Sequence, residues 1–243
     1  MTTIVLTLRL LVFYLGFALT LVWISTTGIL FLSFARHGLR TGYVLLWNRY
    51  VIWSGRWILG LRFEVIGAHN LPIGPYVALA KHQSQWETYF LQYYLAPVCT
   101  VLKKELLNIP FFGWGLRLTN PIAINRDSPK QALKQTLALG KSRLQQGNSV
   151  LIFPEGSRIK TGSAAKYARG GANIAVAAGV PVVPIALNAG EFWPTRQWLK
   201  YPGKITVSIG EAIDSSALSS REITEQARQW IEAEVETMDK HQP

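Results

Sequence analysis

A histidine and a glutamate five residues apart have clear catalytic potential. His82 and Glu87 follow the apolar run Tyr76–Ala80, which predicts a strand. Loops that leave strands often carry functional side chains. A histidine that donates from one ring nitrogen to a carboxylate keeps the other nitrogen free to take a proton from a hydroxyl group. The pair therefore predicts a general base with its orienting carboxylate.

The spacing restricts how these two side chains can meet. On a continuous helix five residues turn the chain by about 500°, so the two side chains would diverge by about 140°. They meet only if His82 precedes the helix and Glu87 lies in its first turn. The pattern Ser84-x-x-Glu87 predicts a capping box with Ser84 as the N-cap. A plainer interpretation stays open, in which Glu87 only caps the helix and His82 is an ordinary loop histidine.

Two further motifs follow strand-like runs and carry anion-binding residue types. Arg126, in Ile124-Asn125-Arg126-Asp127, has the fork geometry that binds phosphate, or it forms a plain surface pair with the neighbouring aspartate. In Phe153-Pro154-Glu155-Gly156-Ser157-Arg158, proline and glycine flank the glutamate in a sharp turn. Such a turn exposes backbone N–H groups beside Arg158 and suits an anion, or it is an ordinary strand-to-helix connection. The two prolines in Val180–Ile185 favour an edge strand.

The sequence lacks the residue patterns that other classes of enzyme need. No G-x-S-x-G nucleophile elbow is present, and the single cysteine, Cys99, lies in an apolar strand-like run. The four histidines are scattered without metal-ligand spacing, so we expect no metal site. One cysteine also excludes a disulfide scaffold.

The pattern beyond about residue 62 alternates short β-branched runs with helical stretches. The strand-like runs are Phe63–Ile66, Tyr76–Ala80, Val98–Leu102, Ile122–Asn125, Val150–Phe153, Val182–Leu187 and Ile205–Ile209. The helical stretches are Trp86–Leu95, Ser128–Gln146, Gly171–Ala178 and Ser219–Met238. This alternation predicts an α/β fold with a mostly parallel sheet flanked by helices.

The first 62 residues predict a membrane anchor. Leu10–Ala35 is a run of 26 residues without a formal charge. As a helix it would extend about 39 Å, against a hydrocarbon core of about 30 Å. It is too long for the apolar region of a signal peptide. The polar cluster Ser25–Gly28 leaves open whether the helix spans the bilayer or bends into one leaflet.

The following segment and the charge distribution extend this prediction. Gly42–Leu61 mixes tryptophans with arginines, as at a bilayer interface. Five of the six arginines in residues 1–63 follow the apolar run, which places the remainder of the chain in the cytoplasm. We therefore divide the chain into an anchoring helical segment, 1–62, and a catalytic domain, 63–243. Net charge is +11 and suits anionic partners. A nucleic acid is excluded by the anchor and by the lack of a recognisable binding module.

Taken together and in this order, His-x4-Glu, I-N-R, F-P-E-G-S-R and V-P-V-V-P-I resemble the glycerolipid acyltransferase family. The likeness covers about Ala80–Leu187 plus the anchor, and is strongest to the bacterial branch that acylates lysophosphatidic acid. By this resemblance His82 is the catalytic base, and Glu87 stands where the family usually has aspartate. By the same resemblance, six further residues bind the glycerol phosphate of the acceptor: Lys104, Arg126, Glu155, Gly156, Ser157 and Arg158.

The resemblance implies transfer of an acyl chain from acyl-CoA or acyl carrier protein to the sn-2 hydroxyl of lysophosphatidic acid, giving phosphatidic acid. It implies no cofactor beyond the acyl donor, and a location at the cytoplasmic face of the inner membrane. Two alternatives stay open. One is the same chemistry on another lysophospholipid or lyso-aminolipid, and the other is a non-catalytic protein that binds anionic lipid.

Overall fold

The computed structural model describes residues 3–125, 129–163 and 165–238. The strands are β1 Leu61–Ile66, β2 Val77–Ala80, β3 Val98–Lys103, β4 Ile122–Ile124, β5 Ser149–Ile152, β6 Val182–Leu187 and β7 Gly203–Ile209. The α-helices are α1 Thr3–Leu32, α2 His37–Ser54, α3 Trp86–Tyr94, α4 Phe112–Leu118, α5 Pro129–Gln145, α6 Gly170–Ala178, α7 Ala189–Phe192 and α8 Ser220–Thr237. All seven predicted strands and all four predicted helices of the α/β region are confirmed within a few residues.

The seven strands form one sheet in the order β1-β7-β6-β2-β5-β3-β4. Every neighbouring pair is parallel except β6 and β7. The register pairs Leu79 of β2 with Ile152 of β5. The loops that carry His82 and Glu155 therefore leave neighbouring strands at the same sheet edge. This edge is where parallel α/β sheets commonly place their sites.

The prediction that the proline-containing strand lies at an edge is wrong. β6 lies inside the sheet, between β7 and β2. Pro184 is tolerated there because its backbone faces β7 at the point where the ladder between the two strands ends. At this point Gly210 N–H donates to Pro184 O. The β6–β7 pairing begins one residue later, at Ile185 opposite Ile209. The missing N–H of the proline therefore interrupts no ladder bond.

Residues alternate along β2 between two hydrophobic clusters. Ala78 and Ala80 point to the cluster that contains residues of α1, α2 and α3, whereas Val77 and Leu79 point to the cluster that contains residues of α6 and α8. Such alternation follows from the two-residue period of a strand. Both faces of the central strands are thus covered by helices. A Ser219–Glu222 capping box begins α8, where Ser219 N–H donates to the Glu222 carboxylate at 2.8 Å.

Helix α1 packs along the rest of the protein over most of its length. Near its start, the ring of Phe13 meets Trp193 edge-on, with centroids 5.5 Å apart. Near its end, a Cβ at Gly28 would lie 2.7 Å from Leu118 of α4, so the two helices touch there. The polar cluster Ser25–Gly28 is therefore an interface with α4, and α1 is one continuous helix. The division of the chain at residue 62 stays a prediction.

This packing makes α1 part of the folded core, which two neighbouring substitutions can test. Phe13 is fully buried, whereas Leu15 is 63% exposed. We expect Phe13→Ala to lower the free energy of unfolding in detergent by about 3–5 kcal/mol, the usual cost of deleting a buried phenyl ring. Leu15→Ala should leave it within about 0.5 kcal/mol. Equal stabilities of the two variants in urea titrations would show that α1 is not packed on the domain.

Candidate active site

The Glu87 carboxylate is the centre of a buried hydrogen-bond network. Its Oε1 accepts from His82 Nδ1 at 2.9 Å and from the backbone N–H groups of Gln83 and Ser84 at 2.9 and 2.7 Å. Its Oε2 accepts from Ser84 Oγ at 2.7 Å. The side chain has no solvent exposure. Four donors therefore satisfy one buried carboxylate, and all four belong to the loop that carries the histidine.

The two side chains meet as the spacing requires, but the capping box forms only in part. Helix α3 begins at Trp86, so Glu87 lies in its first turn and His82 precedes it. The N-cap is Gln85 rather than Ser84, and its side chain makes no capping bond. Ser84 Oγ instead accepts from Trp86 N–H at 2.9 Å while donating to Glu87. The predicted box is therefore only half formed: Glu87 accepts from Ser84 N–H, but the serine hydroxyl accepts from Trp86 N–H rather than from Glu87 N–H because the helix begins one residue later than the capping pattern predicts.

The imidazole is held on a second side by an aromatic ring. Phe153 stacks on His82 with ring centroids 4.1 Å apart and planes inclined by 21°. An ionised carboxylate only accepts hydrogen bonds, so its contact with Nδ1 requires the proton on that nitrogen. The Nε2 atom is then the free base of the neutral ring. His82 keeps 12% of its side-chain surface exposed, which gives a substrate hydroxyl access to the ring.

The turn after β5 supports the histidine loop from behind. The Glu155 side chain is buried, and its Oε2 accepts from His82 N–H at 2.7 Å. Its Oε1 lies 2.7 Å from Lys81 Nζ. Burial raises the pKa of Glu155, and the neighbouring Lys81 ammonium opposes that rise. Both carboxylate oxygens thus face the protein, where they hold the loop backbone.

Lys81 joins this turn to the carboxy-terminal helix. Its Nζ donates to both oxygens of Glu232 in α8, at 2.7 and 2.9 Å. Tyr167 donates its hydroxyl to the same carboxylate at 2.8 Å. Lys81 is 2% exposed, so this is a buried ammonium shared by two carboxylates. Sequence inspection missed this network because Lys81 and Glu232 are 151 residues apart; the signal available was a lysine at the end of a fully apolar strand.

Of the remaining predicted residues, those that the structure describes lie at the same sheet edge. Gly156 adopts φ of +73°, which glycine alone takes without strain, and its N–H closes the turn onto Phe153 O at 3.0 Å. Ser157 and Arg158 are exposed, and Arg158 Nε donates to Ser84 O at 3.0 Å. Lys104 is exposed in a short 3₁₀ helix that follows β3. Arg126 lies outside the described residues. The substrate-binding role of this set stays a prediction.

No three histidine, cysteine, aspartate or glutamate side chains converge as a metal site in the part of the chain that the structure describes. The single thiol, Cys99, is buried in β3, and burial raises its pKa. Independence from a metal therefore stays a prediction of the sequence.

Comparison with known proteins agrees with this geometry. The 1-acyl-sn-glycerol-3-phosphate acyltransferase of Pseudomonas aeruginosa is 49% identical over 200 residues, which is 81% of this chain and 77% of that protein. The human protein named 1-acyl-sn-glycerol-3-phosphate acyltransferase beta is 30% identical over 191 residues, which is 77% of this chain and 69% of that protein. The crystal structure of the 1-acyl-sn-glycerophosphate acyltransferase of Thermotoga maritima superposes with a TM-score of 0.82 over 100% of both chains. At 24% identity, that likeness concerns the fold.

The family match covers the site itself. The sequence model of the acyltransferase family matches residues 62–188, which include the His82–Glu87 pair, the turn that holds Glu155 and the whole of β6. With these residues and this fold, the chain belongs to the acyltransferase family.

Proposed function

We propose that the protein transfers a fatty acyl chain from a thioester carrier to the sn-2 hydroxyl of 1-acyl-sn-glycerol-3-phosphate, giving phosphatidic acid. The observation that carries the proposal is the buried Glu87 carboxylate 2.9 Å from His82 Nδ1. It leaves Nε2 as a base at the sheet edge. The names of the similar proteins support this acceptor, and we propose acyl-CoA or acyl carrier protein as the thioester that supplies the acyl chain.

In this reaction neutral His82 removes the proton of the acceptor hydroxyl at Nε2 while the hydroxyl oxygen attacks the thioester carbonyl carbon. A C–O bond forms and the carbonyl becomes a tetrahedral oxyanion. Collapse of that intermediate breaks the C–S bond, and the departing thiolate takes the proton back from the imidazolium. Glu87 stabilises the imidazolium, as a buried carboxylate does in a catalytic triad. No acyl-enzyme forms.

The acceptor phosphate is bound beside this base by the exposed end of the second turn. Arg158 and Ser157, with Arg126 and Lys104, supply cationic and hydroxyl groups for it. Glu155 contributes indirectly, because its carboxylate is engaged with Lys81 and the His82 backbone. Anchoring the phosphate sets the position of the hydroxyl against Nε2 and lowers the entropy cost of the reaction.

The membrane helix supports a substrate taken from a bilayer. Large apolar side chains on α1 are exposed at helical spacing: Ile4, Leu8, Leu11, Leu15, Leu19, Trp23 and Leu30. Helix α1 contacts the rest of the protein in its first half, where Tyr14 stacks on Trp198 with ring centroids 5.6 Å apart, and near its end, where Thr27 Oγ1 lies 2.6 Å from Tyr43 Oη. A helix held along a domain in this way fits one leaflet better than a crossing. We therefore place α1 in the plane of the cytoplasmic leaflet, where anionic lipids attract the arginines that follow it.

Removing the base tests the mechanism. We expect His82→Ala to lower turnover about 10²–10⁴-fold, the usual share of acid–base catalysis. The fold should be kept, because Glu87 retains its three other donors, from Gln83 and Ser84. His69→Ala, an exposed histidine after β1, is the matched control and should keep full turnover. Unchanged turnover in folded His82→Ala would contradict the assignment.

A substrate panel tests the acceptor. Purified protein in detergent receives lysophosphatidic acid, lysophosphatidylcholine or glycerol 3-phosphate, each with labelled acyl-CoA or acyl carrier protein. We expect label in phosphatidic acid alone, because the basic residues at the sheet edge favour a phosphate monoester over the phosphodiester of lysophosphatidylcholine, and glycerol 3-phosphate lacks the acyl chain of a membrane lipid. Label in another lipid would move the acceptor and keep the chemistry. No transfer by folded protein in any combination would favour a non-catalytic lipid-binding protein.

Cysteine labelling tests the placement of α1. Cys99 is buried, so Thr3→Cys and Gly38→Cys each provide one reactive thiol at the two ends of the helix. With α1 in one leaflet, a membrane-impermeant maleimide should label both variants in inverted inner-membrane vesicles and neither in intact cells with a permeable outer membrane. Labelling of Thr3→Cys from the opposite side to Gly38→Cys would show that α1 crosses the bilayer.

A further inference from the structure

A small pocket adjoins the catalytic loop, where α1, the turn after β5 and the segment after α7 meet. Its volume is about 170 Å³. Three of its lining side chains are cationic and none is acidic. The lining residues are Tyr14, Gln85, Arg158, Trp193, Pro194, Thr195, Arg196, Gln197 and Lys200.

The cations of this pocket have no counter-charge in the described part of the chain. No carboxylate lies within ion-pair distance of Arg158, Arg196 or Lys200 there. Lys200 donates to the backbone carbonyls of Pro194 and Gln197, and Arg158 to that of Ser84. Lys200 Nζ also lies over the ring of Trp193, 5.8 Å from its centroid. The partners found are therefore neutral oxygens and an aromatic face.

Of these three charged side chains, Lys200 is the one whose burial costs the most free energy. It is 5% exposed, and burial lowers its pKa to about 8. A buried ammonium with neutral partners costs free energy because it has lost its hydration. An anion in the pocket would offset this desolvation and would gain charge-assisted hydrogen bonds.

The segment that carries two of the cations is held in place by aromatic contacts with α1. Trp193 is buried and meets Phe13 edge-on, and Trp198 stacks on Tyr14. Between them, Arg196 adopts φ of +60°, which is uncommon for any residue other than glycine. Such a conformation persists where the surroundings impose it, and it occurs often at ligand sites. The anchored loop thus fixes the position of the Arg196 backbone at the pocket.

We propose that Arg196 and Lys200, together with Arg158, bind a phosphate group of a substrate. The proposal deepens the proposed function and rests on it. A pocket of about 170 Å³ is smaller than the 300–1,000 Å³ that hold whole small molecules, so it suits one phosphate better than a nucleotide or an acyl chain. Both substrates carry such a group. The lysolipid has its head group, and the phosphopantetheine arm of either thioester carrier has a phosphate.

Arg158 connects this pocket to the chemistry. Its Nε bonds to Ser84 O, and Ser84 also donates to the Glu87 carboxylate. A phosphate bound to the Arg158 guanidinium would therefore lie next to the loop that carries His82. The bound phosphate would orient the molecule that carries it with respect to His82. Removing the charge of Arg196 or Lys200 should therefore weaken substrate binding more than it lowers turnover.

A binding measurement tests the site without the reaction. Inorganic phosphate should raise the melting temperature of the detergent-solubilised wild type above that in chloride of equal ionic strength. Arg196→Gln and Lys200→Met should each reduce this rise, and the double variant should reduce it further, to what the remaining basic residues contribute. Lys141→Met, which removes an exposed lysine from α5, is the control and should keep it. An undiminished phosphate effect in the folded double variant would overturn the proposal.

Kinetics identify the source of the phosphate. Each single variant should raise KM for one substrate about 10- to 100-fold, the equivalent of one charge-assisted hydrogen bond, with kcat within about threefold. A raised KM for lysophosphatidic acid would assign the lipid head group, and a raised KM for the acyl donor would assign the carrier. Arg196→Lys should recover part of the loss. Unchanged values of KM, with weaker binding to phosphatidylcholine vesicles containing phosphatidylglycerol, would overturn the proposal in favour of a contact with the membrane surface.

The two proposals fail in different ways. If the wild type transfers no acyl chain while phosphate still stabilises it through Arg196 and Lys200, the anion site stands and the proposed function falls. If acyl transfer proceeds and both variants match the wild type in phosphate stabilisation and in KM, the anion site falls and the proposed function stands.

Discussion

The active site depends on one buried carboxylate. Glu87 has no solvent exposure and accepts four hydrogen bonds, all of them from the short loop of residues 82–84. A buried charge with fewer donors would be costly, so the loop is held in the conformation that supplies them. That conformation also brings His82 Nδ1 to the same oxygen. The interaction that makes the carboxylate tolerable in the core therefore also sets the tautomer and the direction of the base.

A second carboxylate, that of Glu155, connects the histidine loop to the sheet and to the carboxy-terminal helix. Glu155 holds the backbone of His82 and pairs with Lys81, and Lys81 pairs with Glu232 of α8. Helix α8 packs against the face of the sheet opposite to α1. The loop that carries His82 is thus held by elements from both faces of the sheet, which explains how a short loop keeps this histidine in a fixed position.

The sequence predicts the strands and the histidine–carboxylate pair because both depend on local patterns. Hydrophobic runs bounded by turn residues mark β1–β7, and the five-residue spacing requires Glu87 to lie in the first turn of α3. The two errors have different causes. The start of α3 lies one residue later than the Ser84-x-x-Glu87 pattern indicates, so Ser84 Oγ accepts from Trp86 N–H rather than from Glu87 N–H. The central position of β6 depends on long-range pairing, and Pro184 is tolerated there because it faces the end of the β7 ladder. The Lys81–Glu232 pair and the contacts of α1 join segments that are far apart in the chain. A single sequence contains no spacing pattern that would predict such contacts.

The central claim is that Glu87 fixes the His82 tautomer, and nitrogen NMR of ¹⁵N-histidine-labelled protein in detergent tests it directly. The His82 signals are assigned by their loss in His82→Ala and recorded at a pH at which the ring is neutral. A protonated, pyrrole-type Nδ1 with an unprotonated, pyridine-type Nε2 is the result that this account predicts. An unprotonated Nδ1 with the proton on Nε2 would contradict it, because the base would then face the buried carboxylate rather than the substrate.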